Sequence, residues 1–209
     1  MKIISIEGNI GSGKSTFLQL LKENIKDVLF LDEPVEEWNN IKDISGITIL
    51  ENYYRDPKQY AFSFQIMAYI SRLTILKRAI ESKKYDIIIT ERCLYTDRNV
   101  FCKMLYDDDI INLMDYTIYN KWFDEFSELM ENVYYVYLKT DPFVSNNRVI
   151  KRSRKGEEID LNYLIKCNDY HDNWLNTETN VTIIDANVDN KETDLNIWIN
   201  IVRKLITKQ

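Results

Sequence analysis

The sequence predicts an α/β fold built on a five-stranded parallel sheet, and three observations carry that reading. Five short apolar runs rich in Ile, Val and Tyr recur along the chain. Longer stretches of helical periodicity separate them. No internal repeat, Pro/Ser-rich linker or composition break interrupts the alternation. Strands that alternate with helices pair in parallel and need cover on both faces. The expectation is therefore a three-layer α/β/α arrangement, with residues 1–209 forming a single domain.

The strands are expected at Lys2–Glu7, Val28–Asp32, Asp86–Thr90, Val133–Lys139 and Val181–Asp185. A first helix starts near Lys14 and buries Phe17, Leu18, Leu21 and Ile25. A long helix opens at Pro57, where proline suits a first turn, and runs to about Lys83. Further helices are expected over Thr96–Tyr106, Ile110–Glu131, Phe143–Lys151, Leu161–Asn176 and Leu195–Lys208. Trp174, His171 and the last amphipathic helix read as structural, His171 lying on a helix remote from every motif.

Composition excludes several classes. With 45% apolar and 29% charged residues the chain is too apolar for disorder. Only 5 Gly, 3 Pro and 3 Cys exclude collagen-like, low-complexity and disulfide-scaffold proteins. The net charge of -6 argues against a nucleic-acid polymer as partner, so any anion is held by a local arrangement. Cys93, Cys102 and Cys167 form no CxxC pair; they read as reduced thiols of a cytoplasmic protein without a zinc site. No apolar run reaches the roughly 18–20 residues of a membrane span, and the first strand leaves no space for a targeting peptide.

Between the first strand and first helix stands Gly8-Asn9-Ile10-Gly11-Ser12-Gly13-Lys14-Ser15-Thr16, which fits GxxxxGK[ST]. Its glycines let backbone N–H groups wrap a phosphate at the positive end of a helix. Lys14 then reaches the β/γ phosphates and the Ser15 hydroxyl meets Mg²⁺. The loop predicts a P-loop NTPase-like fold that binds a nucleoside triphosphate. The guanine-reading NKxD element is absent, since Asn120-Lys121 is followed by Trp122-Phe123 and Asn190-Lys191 by Glu192-Thr193.

Open α/β sheets place ligands at strand ends. The second strand ends in Asp32-Glu33-Pro34-Val35-Glu36-Glu37-Trp38 and the third in Thr90-Glu91-Arg92. After the fourth come Arg148, Arg152 and Arg154. Arginine is scarce, nine against eighteen lysines, yet six of the nine fall in these segments or on the long helix. Guanidinium forks suit phosphate and carboxylate oxygens. On the long helix Phe64, Gln65, Ala68 and Arg72 share a face within about 100° at helical spacing. An amide and a guanidinium there need partners if buried, which favours ligand contact for Gln65, Arg72 and Asp97.

On these motifs, together with Tyr54, Pro57, Phe62-Ser63-Phe64-Gln65 and His171-Asp172-Asn173-Trp174-Leu175, the chain resembles the deoxyribonucleoside kinase family (the deoxycytidine kinase/deoxyguanosine kinase group) over nearly its whole length. The resemblance implies transfer of a γ-phosphoryl group from ATP or another NTP, with Mg²⁺, to the 5′-hydroxyl of a deoxynucleoside. It implies a homodimer, for which the apolar Ile110–Met130 region offers an interface. Glu33 is the implied general base, Arg92 the group on the 5′-oxygen and transferring phosphoryl, and Glu91 with Ser15 the Mg²⁺ site. Arg148, Arg152 and Arg154 form an arginine-bearing helical lid over about residues 145–160. Phe64 and Phe101 sandwich the base, Gln65 pairs with its edge and Arg72 with Asp97 lies near its exocyclic group. Trp38 lines the pocket, Tyr54 reaches the 3′-hydroxyl, and Glu157 or Glu158 joins it. Asp185–Asp189 resembles a loop beside the donor base.

An ionised Asp accepts hydrogen bonds without donating, so Asp97 suits the amino group of cytosine or adenine, and Arg72 suits a guanine carbonyl. The expectation is deoxycytidine and purine deoxynucleosides over thymidine, in DNA-precursor salvage, and a rise in thymidine use when Arg72 and Asp97 are made small and neutral. Two other readings use the same loop: a thymidylate-kinase-like nucleoside monophosphate kinase, and a non-catalytic nucleotide sensor.

Overall fold

The computed structural model describes residues 1–154, 157, 159–187 and 192–207. Its sheet has five parallel strands in the order β2-β3-β1-β4-β5: β1 Lys2–Glu7, β2 Leu29–Leu31, β3 Ile87–Glu91, β4 Val133–Lys139 and β5 Val181–Asp185. All five lie where the periodicity put them, with β3 shifted one residue on, to Ile87–Glu91, and β2 shortened by one residue at each end.

Alternation along the strands sends successive side chains to opposite faces. On one face Ile4, Ile6, Ile89, Val136 and Leu138 join Phe17, Leu18 and Leu21 of α1 (Lys14–Asn24) and Trp198, Ile199 and Val202 of α10 (Glu192–Thr207). On the other, Ile3, Ile88, Tyr135 and Tyr137 pack beneath Ala68, Leu73 and Leu76 of α4 (Pro57–Ser82) and Cys167 and Trp174 of α9 (Leu161–Leu175). The three layers follow from two apolar faces that both need cover.

Helix ends follow local chemistry. The Asp56 carboxylate caps α4 by accepting from Gln59 N–H, with Pro57 in the first turn. Asp160 caps α9 through Tyr163 N–H. Asp141 caps α8 (Pro142–Arg152), which carries the arginines. Two short helices were not anticipated: α2 (Val35–Asn40) and α3 (Ile49–Arg55), the latter fixed by a capping box between Thr48 and Glu51.

The helix expected over Thr96–Tyr106 is a composite. Leu94–Thr96 makes a turn, α5; Asp97–Cys102 is a π-helix; Lys103–Asp107 is α6. The helix expected over Ile110–Glu131 is shorter, with α7 spanning Leu113–Phe126 and a 3₁₀ turn at Ser127–Met130. Lys208, the expected end of the last helix, lies outside the described residues, as do Val188 and Asp189 of the loop after β5. No helix among the described residues is long and apolar enough to cross a membrane.

The phosphate loop is squeezed between β4 and α8. A Cβ on Gly8 would sit 2.8 Å from the Leu138 carbonyl oxygen, and one on Gly11 2.5 Å from the Ser145 carbonyl oxygen. Both glycines also hold positive φ, 145° and 80°.

Candidate active site

A cavity of about 600 Å³ opens where β1 and β3 end, bounded by the phosphate loop, α4, the π-helix and α8. At one end Gly11, Ser12, Gly13, Lys14, Ser15 and Thr16 line it at the N-terminus of α1. The Lys14 ammonium is buried and donates to the Asn9 carbonyl at 2.7 Å. Burial, then the neighbouring Arg92, lowers its pKa to about 7 against the opposing pull of Glu91, Glu33 and Glu7. Ser15 Oγ donates to Glu91 Oε1 at 2.8 Å. Arg148, Lys151, Arg152 and Arg154 line the same end from the side of α8. Arg152 pairs with Glu157, and Arg154 Nη1 stands 3.8 Å from that carboxylate. Five cations and an array of loop N–H groups face one hollow, an arrangement that suits a polyanion.

The neighbouring chamber has one carboxylate at its mouth. Glu33 Oε1 accepts from Arg92 Nη1 at 2.7 Å and from Arg72 Nη2 at 3.1 Å. Burial alone would raise its pKa, but Arg92, Arg72 and Lys14 bring it down to about 2. Arg92 sits at φ 60°, a left-handed backbone that turns the chain straight from β3 towards the cavity. Its Nε and Nη2 groups are buried with no hydrogen-bond partner among the described residues, and its guanidinium lies 5.0 Å from the Phe101 ring centroid. Unspent donors of this kind in a cavity wall call for an acceptor from outside.

Arg72 is a hub. Its Nε donates to Asp97 Oδ2 at 2.9 Å, Nη1 to the Glu91 carbonyl at 2.8 Å and Nη2 to Glu33. Burial lowers its pKa, and Asp97 with Glu33 more than offsets that, so the guanidinium stays charged. Gln65 is buried and lines the cavity, and its side-chain amide makes no hydrogen bond to a described residue. Phe64 carries Tyr53 stacked at 4.8 Å and Trp38 edge-on at 5.4 Å, while the Trp38 indole N–H is taken by Ser71 Oγ at 2.8 Å. Trp38 thus offers the cavity only an apolar surface. The hydroxyl of Tyr54 is pushed up in pKa by burial first and Glu157 next.

These two chambers share a wall made of Glu33 and Arg92, and similarity to known proteins points to the same chemistry. The family model described as "Deoxynucleoside kinase" matches residues 4–207. The chain belongs to the deoxynucleoside kinase family. It is 35% identical over 196 residues to the deoxycytidine kinase of Bos taurus, covering 84% of this chain and 75% of that protein. It is 34% identical over 198 residues to the mitochondrial deoxyguanosine kinase of Xenopus laevis, covering 86% and 75%. A probable deoxycytidine kinase of fowlpox virus is 34% identical over 197 residues, covering 90% and 79%.

In this kinase most of the residues singled out from the sequence meet in the one cavity: Lys14, Ser15 and Glu91; Arg148, Arg152 and Arg154; Glu33 and Arg92; Phe64, Gln65, Arg72, Asp97 and Phe101; Trp38, Tyr54 and Glu157. Two do not line it. Gly8 makes the tight turn against β4. The Asn9 amide points away and donates to the Leu164 carbonyl of α9 at 2.8 Å, tying the phosphate loop to that helix. Glu158 lies outside the described residues.

His171 corrects an expectation. It is fully buried but not remote: its ring stands edge-on to Phe101 at 6.3 Å and stacks on Tyr137. With Nδ1 on the Cys167 carbonyl at 2.6 Å and burial pushing its pKa to about 3, it stays neutral and braces Phe101 from behind. Sequence reasoning missed Tyr53, Tyr163 and Lys151, which also line the cavity. The Tyr53 and Tyr163 hydroxyls meet at 3.2 Å across α3 and α9, a pairing that no local pattern signals.

Proposed function

We propose that this kinase transfers the γ-phosphoryl group of ATP or another NTP to the 5′-hydroxyl of a deoxynucleoside, preferring deoxycytidine, deoxyadenosine or deoxyguanosine to thymidine, in DNA-precursor salvage. The observation that carries the reading is the shared wall, with the Glu33–Arg92 pair at 2.7 Å between a cationic loop and a hollow bearing an amide and a carboxylate. Residues 1–209 act as one catalytic unit, with a lid over about 145–160.

Glu33 accepts the 5′-hydroxyl proton in this scheme. Held near 2 it is a weak base, but Arg92 is shared. As Arg92 turns its unspent donors to the phosphoryl oxygens, its grip on Glu33 loosens and the carboxylate gains basicity as the acceptor oxygen nears phosphorus. Lys14 and the lid arginines hold the polyphosphate, whose charge favours the protonated form of Lys14. Tyr54 and Glu157 flank the sugar, Phe64 and Phe101 face the base, and Gln65 meets its pairing edge.

The chemistry of Ser15 and Glu91 fits Mg²⁺. One hydroxyl and one carboxylate suit an ion that keeps waters and phosphate oxygens as its other ligands, and among the described residues no cluster of three acidic, His or Cys side chains forms a closed cage. Bound with the triphosphate, Mg²⁺ supplies charge neutralisation. Asp97 supports the base preference, since the O4 of thymine would meet an acceptor.

A second copy of the chain is the proposed partner. Met114, Ile118 and Trp122 recur at helical spacing on α7 with exposures of 69%, 38% and 50%, beside Leu113 and Ile70. The three buried free cysteines support a reducing compartment such as the cytoplasm.

The deciding experiment offers Mg²⁺-ATP with each of four deoxynucleosides and their monophosphates to the wild type and Asp97→Ala. Product from deoxynucleosides other than thymidine is expected, and the variant should raise the thymidine to deoxycytidine ratio of kcat/KM about tenfold or more. Product from monophosphates alone makes the chain a nucleotide kinase. Retained ATP binding without product makes it a sensor. An unaltered ratio defeats the base-reading role of Asp97.

A further inference from the structure

Glu7 closes β1 one residue before the phosphate loop and is fully buried. Strand alternation separates it from the other strand-end carboxylate. Glu91 shares the face of Ile89 and meets Ser15, whereas Glu7 shares the face of Ile3 and Ser5, towards the π-helix. Among the described residues Glu7 makes no ion pair; its partners are two hydroxyls and the Cys93 thiol. Ser5 Oγ donates to Oε1 at 2.6 Å, and the Thr96 hydroxyl reaches Oε1 at 2.8 Å and Oε2 at 2.7 Å.

The direction of these bonds is set. Cys93 N–H donates to Thr96 Oγ1 at 3.1 Å, which leaves the Thr96 proton for Glu7. Thr90 Oγ1 donates to Ser5 at 3.2 Å, which leaves the Ser5 proton for the same carboxylate. A buried carboxylate with no cation in direct contact, only the field of Lys14 nearby, is a costly way to fill space, and an apolar side chain would serve packing better. What Glu7 reaches explains its presence. Cys93 follows Arg92, Thr96 precedes Asp97, and Gly8 begins the loop that carries Lys14.

We propose that Glu7 is a positioning residue: by holding Thr96 it sets the spacing between the phosphate loop and the Arg92–Asp97 segment, and so the alignment of acceptor with donor. This rests on the kinase reading above. An isosteric amide at position 7 would turn at least one acceptor into a donor facing the Thr96 hydroxyl, and the segment would drift. Misplacement by about 1 Å costs on the order of a hundredfold in rate.

The test compares Thr96→Val, Thr96→Ser and Glu7→Gln with the wild type for kcat, KM of each substrate, thermal midpoint and backbone amide exchange. Thr96→Val should lower kcat at least about tenfold, leave the KM for ATP within about threefold and speed exchange at residues 93–97 but not in α4. Thr96→Ser, which keeps the hydroxyl, should recover to within about threefold of wild type. Glu7→Gln combined with Thr96→Val should lose little beyond the worse single variant, because both cut one link. If Glu7→Gln does not fold, the Thr96 pair carries the test. A Thr96→Val enzyme with wild-type kcat, losses that multiply, or a lowered midpoint with unchanged kinetics would each overturn the proposal. If the wild type phosphorylates no deoxynucleoside, the functional reading fails separately, and unchanged exchange at residues 93–97 then overturns this one.

Discussion

Two guanidinium groups converge on Glu33, and the consequences at the scale of single residues are unequal. Removing one partner of a buried ion pair typically costs about 3–5 kcal/mol, because the other charge is left stranded. Arg72 holds Asp97, Glu33 and the Glu91 carbonyl together, so its loss strands Asp97 and leaves Glu33 with Arg92 as its remaining guanidinium partner. The sequence-based expectation that Arg72 and Asp97 can be replaced jointly to change base preference therefore needs amending: the joint variant would also remove one of the two guanidinium partners of Glu33, the proposed base. Glu33→Gln is cleaner, since the amide still accepts from Arg92 through its oxygen. It should lower kcat about a hundredfold or more while deoxynucleoside affinity changes little. Calorimetric binding beside steady-state kinetics checks this, and unchanged turnover would exclude Glu33 as the base.

Among the elements, the π-helix and α7 show where sequence patterns stop being informative. Asp97 and Phe101 stand four apart, and an ordinary helix was the natural expectation; nothing in Asp97-Arg98-Asn99-Val100-Phe101-Cys102 announces the wider turn that brings both to the cavity. Helices α2 and α3 escaped because they span 6 and 7 residues, too short for an apolar period to declare itself, although Thr48-Ile49-Leu50-Glu51 did hold a capping box. By contrast, the phosphate loop and the Glu91-Arg92 strand end were legible because their chemistry depends on residue type at fixed spacing. The outward stripe of α7 yields a test of its own. Trp122→Glu with Met114→Glu should halve the mass seen by analytical ultracentrifugation. A wild type that sediments as a single chain at micromolar concentration would end the dimer assignment.

For the molecule as a whole, the five strands and three layers were readable because two apolar faces leave little choice of architecture, whereas pairings such as Asn9 with α9 depend on contacts 155 residues apart. The same interior predicts an acid response. Burial keeps His171 neutral to about pH 3 against 6.5 ordinarily, so below 6.5 the unfolded chain binds a proton that the fold refuses. Stability from this residue is complete above pH 6.5 and drains as pH falls towards 3; Glu33, moved from 4.5 to about 2, adds a loss of the same sign between those values. At about 1.4 kcal/mol per pH unit, His171 removes about 2 kcal/mol by pH 5. Urea midpoints at pH 7 and pH 5 should separate more for the wild type than for His171→Asn; equal separations would refute the effect.

The triple engagement of Arg72 also constrains how this chain changes over generations. Because one side chain holds both Asp97 and Glu33, the proposed function makes diet and speed inherited together. On that reading, new tastes in nucleobase enter through neighbours such as Ala68 or Gln65, which line the cavity and share no side-chain hydrogen bond with Glu33 among the described residues. A laboratory library that spares position 72 and varies those two samples appetite while keeping the engine intact.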